Sequence, residues 1–394
     1  MHASPYGTSV KGFRDGAGPR FVRMDPLLVI ATLGLLACSI YTIASATSGD
    51  IEGDPNFYVF RQAIYAGVGL ILMFVLSRVD YSRFREWRAG LYVGMLAAIL
   101  LVFALGTAAR GSRRALDLGF FQLQTSELGK VLLILTLSAF AVDRIRRLGD
   151  RETTSRLVLL ALLPAMLVVA QPDLGSGLVY MAIVVAVLFV GGTKWTHFAA
   201  LGGLAAFAVL AALVLAPAAG VELLKPYQMD RLTAFVNPAE NPAEEGYQQT
   251  QSLVAIGAGG KTGRGEDATQ TRLDFLPEHH TDFVFAVVGE EFGFGGAALV
   301  LSLFALMIWR CLRILTMSKN LYGALIAGGI TAMLMFQIFV NVGMTIGIMP
   351  ITGITLPLMS YGGSSVIVTF LALGLMQSIH AQARETTLSK GRDL

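Results

Sequence analysis

The chain has 394 residues, of which 54% are hydrophobic and 14% are charged, and its formal net charge is +3. Soluble domains carry about a quarter charged residues, so this composition excludes a soluble globular protein and predicts a polytopic membrane protein. The small net charge gives no indication of a nucleic-acid-binding surface. The two cysteines lie far apart in or beside apolar segments, so no disulfide framework is predicted.

The first 25 residues are polar and rich in glycine and arginine, and a full-length apolar segment follows them. This order predicts a disordered cytoplasmic tail, residues 1–25, and a retained signal anchor instead of a cleaved signal peptide. Crossing the hydrocarbon core of a bilayer takes roughly 20 apolar residues. Windows of that kind centre near residues 36, 68, 97, 135, 163, 182, 206, 295, 334 and 368.

These windows predict an all-α polytopic membrane protein with about ten transmembrane helices. The transmembrane domain covers residues 26–380, and a cytoplasmic tail follows at 381–394. Most of the 30 lysine and arginine residues fall in the connections that are cytoplasmic if the N-terminus is cytoplasmic. This bias follows the positive-inside rule, so both termini are predicted to lie in the cytoplasm.

One connection, at about residues 220–281 between helices 7 and 8, is much longer than the others and is rich in proline, glycine, asparagine and glutamine. The alternation of helices places it on the extracytoplasmic side. Loops this long in a compact fold are functional or disordered. Apolar residues within it predict an ordered, partly buried loop, and they are Phe235, Leu253, Ile256 and Phe275.

Residues 255–262 of this loop, AIGAGGKT, nearly match the phosphate-binding pattern GxxxxGK[ST]. Ala255 stands where the first glycine is needed, and no helix-forming run follows Thr262. Nucleotide binding is therefore not predicted. The glycines of this segment and of the residues after it are interpreted as turn residues that supply positive φ, and they are Gly257, Gly259, Gly260, Gly263 and Gly265.

The end of the loop runs through Asp282 into an apolar helix that also carries Glu290 and Glu291. Carboxylates at membrane depth are costly and indicate a functional site. An acid in the first turn of a helix is also stabilised by free N–H groups and the helix dipole, so Asp282 admits both interpretations. Glu290 and Glu291 point about 100° apart on a helix, so at least one of them is expected to serve in packing or to bridge to a neighbouring segment.

Two further pairs of residues could be taken for functional sites. Glu127 and Lys130 share one helix face, and the simplest expectation is that they neutralise each other within the membrane. His279 and His280 are adjacent in sequence, which is not a metal-ligand spacing. No metal site is predicted from the residues alone.

Six motifs, in order, resemble the SEDS family (shape, elongation, division and sporulation proteins) over nearly all of residues 26–380. They are GSRRALDLGFFQLQTSELGK at 111–130, QPDLGSG at 171–177, KPYQMDRLTAFVNP at 225–238, GYQQTQSLVAIGAGG at 246–260, FLPEHHTDFVFAVVGEEFG at 275–293 and NVGMTIGIMPITGITLPLMSYGGSS at 341–365. The last motif resembles the elongation-type branch more than the division-type branch, which is kept as the alternative.

The resemblance implies a peptidoglycan glycosyltransferase that polymerises lipid II at the outer face of the bacterial cytoplasmic membrane, for cell elongation and shape. It implies a class B penicillin-binding protein transpeptidase as partner. Asp282 matches the essential aspartate of the family, which would act as general base on the acceptor sugar hydroxyl. Cationic side chains, or a divalent cation such as Mg²⁺ or Mn²⁺, would offset the charge of the departing pyrophosphate.

The resemblance also assigns substrate contacts or cavity positions to Lys130, Arg114, Glu127, Lys261, Arg231, Gln251, Ser360 and Tyr227. The chain departs from the family pattern at Ala115, where the family has tryptophan, so an aromatic platform is lost. It also departs at Thr125, in place of proline, and at Ala268, in place of glycine.

Two other classes of function stay open. A flippase or transporter for the same lipid precursor would explain membrane-embedded charges such as Arg61 and Lys130, although the sequence shows no inverted repeat. A scaffold that only recruits the transpeptidase would explain the change at Ala115.

Overall fold

The computed structural model describes residues 24–47, 54–109, 112–117, 119–220, 226–236, 244–273 and 275–390. The helices before the long loop are α1 (Pro26–Ala46), α2 (Phe57–Ser77), α3 (Arg83–Glu86), α4 (Arg88–Leu105), α5 (Thr125–Asp143), α6 (Arg151–Ala170), α7 (Leu174–Val190), α8 (Trp195–Leu210) and α9 (Ala216–Ala218). The loop carries α10 (Pro226–Val236), α11 (Glu244–Gly259) and α12 (Thr269–Arg272), and α13 (Val284–Met317), α14 (Leu321–Thr345) and α15 (Gly363–Lys390) follow it.

Nine helices in these ranges are long and apolar enough to cross a membrane, with α8 and α9 counted as one span joined by a π-helical turn. Helix α7 is a further apolar helix of 17 residues. The centre of each window predicted from the sequence lies within one of these helices. The prediction of an all-α multi-pass membrane protein is confirmed.

Local sequence sets where several of these helices begin. The carboxylate of Asp25 accepts a hydrogen bond from the Leu28 N–H, and proline occupies the first helical position of α1. The side chain of Asp173 accepts from Ser176 N at the start of α7, and that of Asn320 accepts from Gly323 N at the start of α14. Each cap satisfies an N–H group that would otherwise have no partner within its helix.

Helices α5 and α15 lie in the interior, where α15 packs along α2, and α14 packs against α7. Helix α8 lies at the periphery, since no residue of its apolar window is buried. A small antiparallel sheet of β1 (Thr107–Ala109), β2 (Ser112–Asp117) and β3 (Gln122–Leu123) joins α4 to α5. The aligned positions in this sheet include Leu116 opposite Leu123.

The long loop is ordered in its described parts, and α11 packs against both α13 and α14. Ile256 is partly buried in an apolar cluster that includes Ala255, Leu276 and Phe283. Leu253 and Phe275, which were also predicted to be buried, are exposed. Leu253 still lies against the turn after α14, since a Cβ on Gly347 would be 3.3 Å from its Cδ1 atom, so its exposure is partial.

A break interrupts α13 at Gly293, whose φ and ψ are 62° and −157°. The N–H groups that follow donate outside the helix, from Phe294 to Gly260 O (2.9 Å) and from Gly295 to Lys261 O (3.2 Å). In return, Arg264 N donates to Glu290 O at 2.8 Å. The glycine-rich turn of the loop is thus inserted into the hydrogen-bond ladder of α13.

This insertion explains the near match to a phosphate-binding motif. Gly260, Gly263 and Gly265 have positive φ, as predicted. Gly257 and Gly259 lie within α11, so the turn interpretation is wrong for them. A Cβ on Gly259 would lie 1.9 Å from Gly289 O, so glycine is needed there for close approach of two backbones.

The ends of the transmembrane domain differ from the predicted boundaries. Residues 1–23 of the predicted tail lie outside the described residues, but Asp25 is fully buried. Arg310 pairs with its carboxylate, and the Gln377 side chain exchanges hydrogen bonds with its backbone. Helix α15 continues to Lys390, beyond the expected end of the domain at residue 380.

Burial raises the pKa of the Asp25 carboxyl, but hydrogen bonds from Arg310 and from the Leu28 N–H outweigh burial and hold the pKa below its usual value.

Asp25→Ala is expected to lower the free energy of unfolding by about 3–5 kcal/mol at neutral pH, because it leaves the Arg310 guanidinium without its partner. A carboxyl with a lowered pKa makes its full contribution to the free energy of unfolding when the pH is above its unfolded-state pKa of about 3.9. That contribution disappears as the pH falls through the folded-state pKa. Thermal unfolding in detergent as a function of pH measures both effects. Asp143→Ala, which removes the exposed partner of Arg85, is the control and should cost under about 1 kcal/mol. Equal losses from the two variants would contradict this account.

Candidate active site

Asp282 lies in a tight turn immediately before α13, which begins at Val284. The N–H groups of Thr281 (3.1 Å), Asp282 (3.1 Å) and Phe283 (3.3 Å) all point to the carbonyl oxygen of Glu278. The side chain is half-buried. The structure therefore places Asp282 ahead of the first helical turn, where it was expected, and leaves part of its side chain accessible.

The buried side chain of Asn341 anchors this turn to α14. Its Nδ2 atom donates to the carbonyl oxygens of Asp282 and Ile354, both at 2.8 Å. Gly353 lies against the carboxylate itself, since a Cβ at that position would be 3.5 Å from Asp282 Oδ2. Gly353 has a φ of 70°, which favours glycine. One amide thus holds together α14, the turn of Asp282 and the segment 353–354.

The same segment connects Asp282 to α7. A Cβ on Gly175 would be 2.7 Å from both Thr352 O and Ile354 Cγ1, so the two backbones are in close contact. Gly175 follows Asp173, whose Oδ2 atom accepts hydrogen bonds from Ser126 Oγ (2.9 Å) and Gln124 Nε2 (3.2 Å). A continuous series of contacts therefore runs from Asp282 to the start of α5.

Glu127 and Lys130 lie on α5 just after Ser126, and they form an ion pair. Both are buried, with 5% and 2% of their surface exposed. The predicted pairing is confirmed. An ammonium group has three N–H donors, and among the described residues Glu127 Oε1 is the acceptor that Lys130 uses. The ion pair with Glu127 therefore does not use every N–H group of Lys130.

The other predicted substrate contacts are distributed differently. Ser360 is buried and its Oγ accepts from Leu356 N at 2.8 Å, so it stabilises its own turn. Lys261 is exposed beside the break in α13, while Arg231 and Gln251 are half-buried on α10 and α11. The side chains of Arg114 and Tyr227 lie outside the described residues. Contacts through the segment 352–354 and Asp173 thus connect Asp282 with Glu127 and Lys130.

Sequence reasoning missed an aromatic group at the N-terminal end of α2. The ring of His280 lies 4.7 Å from that of Tyr58 and 5.8 Å from that of Tyr361, measured between centroids. The guanidinium of Arg61 lies 4.3 Å from the Phe57 ring centroid. Burial raises the pKa of Tyr361 to about 12, so its hydroxyl stays protonated at neutral pH. The signal was Arg61, a cation in an apolar window.

Asn341 and Asp173 were also missed as site residues. Both stand in motifs that carry the family resemblance, but a polar residue in a motif does not reveal which backbone group it contacts. Among the described residues, no group of three or more histidine, cysteine, aspartate or glutamate side chains could hold a metal ion. Glu127, the acid nearest Lys130, is already paired. The side chains in these ranges do not form a protein cage for a divalent cation.

Comparison with known proteins agrees with this architecture. A family model described as cell cycle protein, covering FtsW, RodA and SpoVE, matches residues 23–385. The chain belongs to this family. The SEDS resemblance seen in the sequence is therefore confirmed, and the family match includes Asp282, Asn341 and the Glu127–Lys130 pair.

Relatives match over nearly their whole length. Stage V sporulation protein E of Bacillus subtilis is 36% identical over 91% of this chain and 98% of its own. Peptidoglycan glycosyltransferase MrdB of Escherichia coli is 35% identical over 92% of this chain and 95% of its own. A chain from a solved peptidoglycan synthase complex that coordinates polymerization and crosslinking is 34% identical, with a TM-score of 0.77 over 91% of this chain and 98% of that one.

Lys130→Met is expected to destabilise the protein by about 3–5 kcal/mol, because it leaves the Glu127 carboxylate buried and unpaired. The double variant Glu127→Gln, Lys130→Met should recover most of that loss, because no buried charge then remains. Thermal unfolding in detergent of both variants measures the difference. A double variant as unstable as Lys130→Met would contradict the pairing account.

Proposed function

We propose that this protein is a peptidoglycan glycosyltransferase that polymerises lipid II, with Asp282 as general base. The observation that carries the proposal is the half-buried Asp282 carboxylate at one end of α13, in a turn fixed by Asn341, in a chain of this family. The relative from Escherichia coli is named a peptidoglycan glycosyltransferase. A solved structure similar to this chain belongs to a peptidoglycan synthase complex.

In the proposed reaction, the Asp282 carboxylate takes the proton from a hydroxyl of the acceptor sugar. The hydroxyl oxygen forms a bond to the anomeric carbon of the donor sugar, and the bond from that carbon to the pyrophosphate oxygen breaks. Part of the Asp282 side chain is accessible, so a substrate hydroxyl can reach it. Asn341 holds the backbone of Asp282, which limits the positions of the carboxylate.

Lys130 is proposed to offset negative charge on the departing pyrophosphate. It is buried, where a charge acts strongly on its neighbours, and contacts through Asp173 and the segment 352–354 connect its helix to Asp282. The ion pair with Glu127 holds Lys130 in place. Ser360 organises the turn before α15, and Arg114, Arg231, Gln251 and Lys261 remain proposed substrate contacts.

The protein is proposed to lie in the bacterial cytoplasmic membrane with both termini in the cytoplasm. Arginines of the connection between α2 and α4 support this orientation, as do Arg310 and Arg313 near the end of α13 that is far from Asp282. The site of Asp282 then opens on the extracytoplasmic side. A class B penicillin-binding protein transpeptidase is the proposed partner, supported by the synthase complex that couples polymerization and crosslinking.

A role in elongation is proposed on the motif at residues 341–365, with a division role as the alternative. The transporter hypothesis rested on charged residues within the membrane, and three of these residues have structural partners. Lys130 pairs with Glu127, and Arg61 stacks on aromatic rings. The Glu290 carboxylate accepts three hydrogen bonds from α12.

Asp282→Asn is expected to lower the rate of glycan polymerisation by at least about 100-fold, since a general base contributes 10²–10⁴-fold and the amide cannot accept the proton. The measurement uses purified lipid II and the protein together with its cognate transpeptidase. Asp267→Asn, an equivalent change at an exposed loop position, should polymerise as wild type does. Undiminished polymer from Asp282→Asn would remove Asp282 from the mechanism, and no polymer from wild type would remove the proposed activity.

A further inference from the structure

The buried carboxylate of Glu290 closes a loop that carries Asp282. Its Oε1 atom accepts from Gln270 N at 2.8 Å, and its Oε2 atom accepts from Thr271 N at 3.0 Å and from Thr271 Oγ1 at 2.7 Å. Thr271 and Glu290 are 19 positions apart. Asp282 lies between them, so the chain from α12 to α13 is closed at its base by one side chain.

Glu290 is held at a second point by its own backbone. The break at Gly293 removes the regular hydrogen bond from Phe294 N to Glu290 O, and Arg264 N donates to that oxygen instead, at 2.8 Å. Both the backbone and the side chain of Glu290 therefore receive donors from residues 264–271. The first segment of α13 is fixed to the loop, and Asp282 stands at the beginning of that segment.

The chain inside this closed loop is itself internally connected. Leu276 N donates to Gln270 O at 3.1 Å, and the turn of Asp282 is closed on Glu278 O. Leu276, Phe283 and Ala286 share one apolar cluster, so the two halves of the loop pack together. A change at the base of the loop is therefore transmitted to the turn that holds the carboxylate.

We propose that Glu290 is a positioning residue for the polymerisation reaction, which fixes where the Asp282 carboxylate stands relative to substrate. The inference rests on the proposed function. Glu290 is fully buried, so it acts on the reaction through the backbone of the closed loop. Misplacement of a reacting group by about 1 Å can cost 10²-fold in rate, which is the scale on which such a residue matters.

The neighbouring Glu291 is a matched control. It is equally buried, with 2% exposed, and lies on the same helix. Its Oε1 atom accepts from Ser45 Oγ of α1 at 2.8 Å, and in the described part of the chain Oε2 has no hydrogen-bond partner. A glutamine at position 291 keeps the oxygen that Ser45 needs. Both carboxylate oxygens of Glu290 accept hydrogen bonds, and a glutamine replaces one of them with an NH₂ group. That NH₂ group would face a donor of Gln270 or Thr271 and could not accept from it.

The first experiment compares Glu290→Gln with Glu291→Gln in lipid II polymerisation with the cognate transpeptidase, per folded monodisperse protein. We expect kcat to fall about tenfold or more in Glu290→Gln, with KM changed less than about threefold, because the substrate contacts lie on other residues. Glu291→Gln should keep kcat within about threefold of wild type. A role limited to stability would lower the folded yield and leave kcat per folded molecule unchanged.

A second pair of variants tests the same contact from the other side. Thr271→Val removes only the hydroxyl donor to Glu290 Oε2, and Thr271→Ser retains it. The valine variant should lose activity several-fold and the serine variant should not. In the Glu290→Gln background, Thr271→Val should have little further effect, because the two residues act through one contact.

The outcomes are distinguishable. Wild-type polymer together with an undiminished kcat in Glu290→Gln, or equal losses in Glu290→Gln and Glu291→Gln, would overturn the positioning role and leave the proposed function standing. No polymer from wild type would overturn the proposed function and this inference with it. Wild-type polymer with a kcat loss confined to Glu290→Gln and Thr271→Val would support both.

Discussion

The backbone of a membrane helix has no water to satisfy its polar groups, and the break in α13 must meet that constraint. At Gly293 the intrahelical ladder stops, and the turn at residues 260–264 takes over its donors and acceptors. Gly263 and Gly293 are in backbone-to-backbone contact there, with no room for a Cβ on either residue. The position of the long loop, the first segment of α13 and the turn of Asp282 all depend on this exchange.

A second constraint is the cost of buried charge. Glu127 is paired with Lys130, Asp25 with Arg310, and Glu290 with backbone and hydroxyl donors. These three arrangements differ in how many hydrogen-bonding groups of the buried side chains remain unused. An ion pair of compact groups leaves the Lys130 ammonium with further donors, whereas the Glu290 carboxylate is fully used in holding the loop.

The transmembrane helices were predictable because their signal is local: a run of apolar residues reveals its own extent. The same is true of the Glu127–Lys130 pair, since two residues on one helix face meet whatever the rest of the fold does. Asp282 was singled out because a carboxylate at the start of an apolar helix is costly, and the family resemblance then decided between its two interpretations.

What the sequence could not reveal is non-local. Asn341 contacts the backbone of Asp282, although the two residues are 59 positions apart. Nothing in the sequence around Asn341 indicates which carbonyl oxygen its side chain reaches. The glycine-rich segment at 255–262 packs against the break in α13, and this contact is a property of tertiary packing. Leu253 and Phe275 are exposed for the same reason, since burial depends on which helix faces the loop.

The order of the broken helix and its partner turn along the chain has a consequence for biogenesis. Residues 260–264 precede α13, so they leave the ribosome before the helix whose break they complete. When α13 enters the bilayer, the turn that pairs with the backbone N–H and C=O groups at its break has therefore already been synthesised. A reversed order would leave a helix with open hydrogen-bonding groups in lipid until the next segment had been made. Circular permutation that moves this turn behind α13 would therefore test the insertion pathway itself, in a protein whose final contacts could all still form.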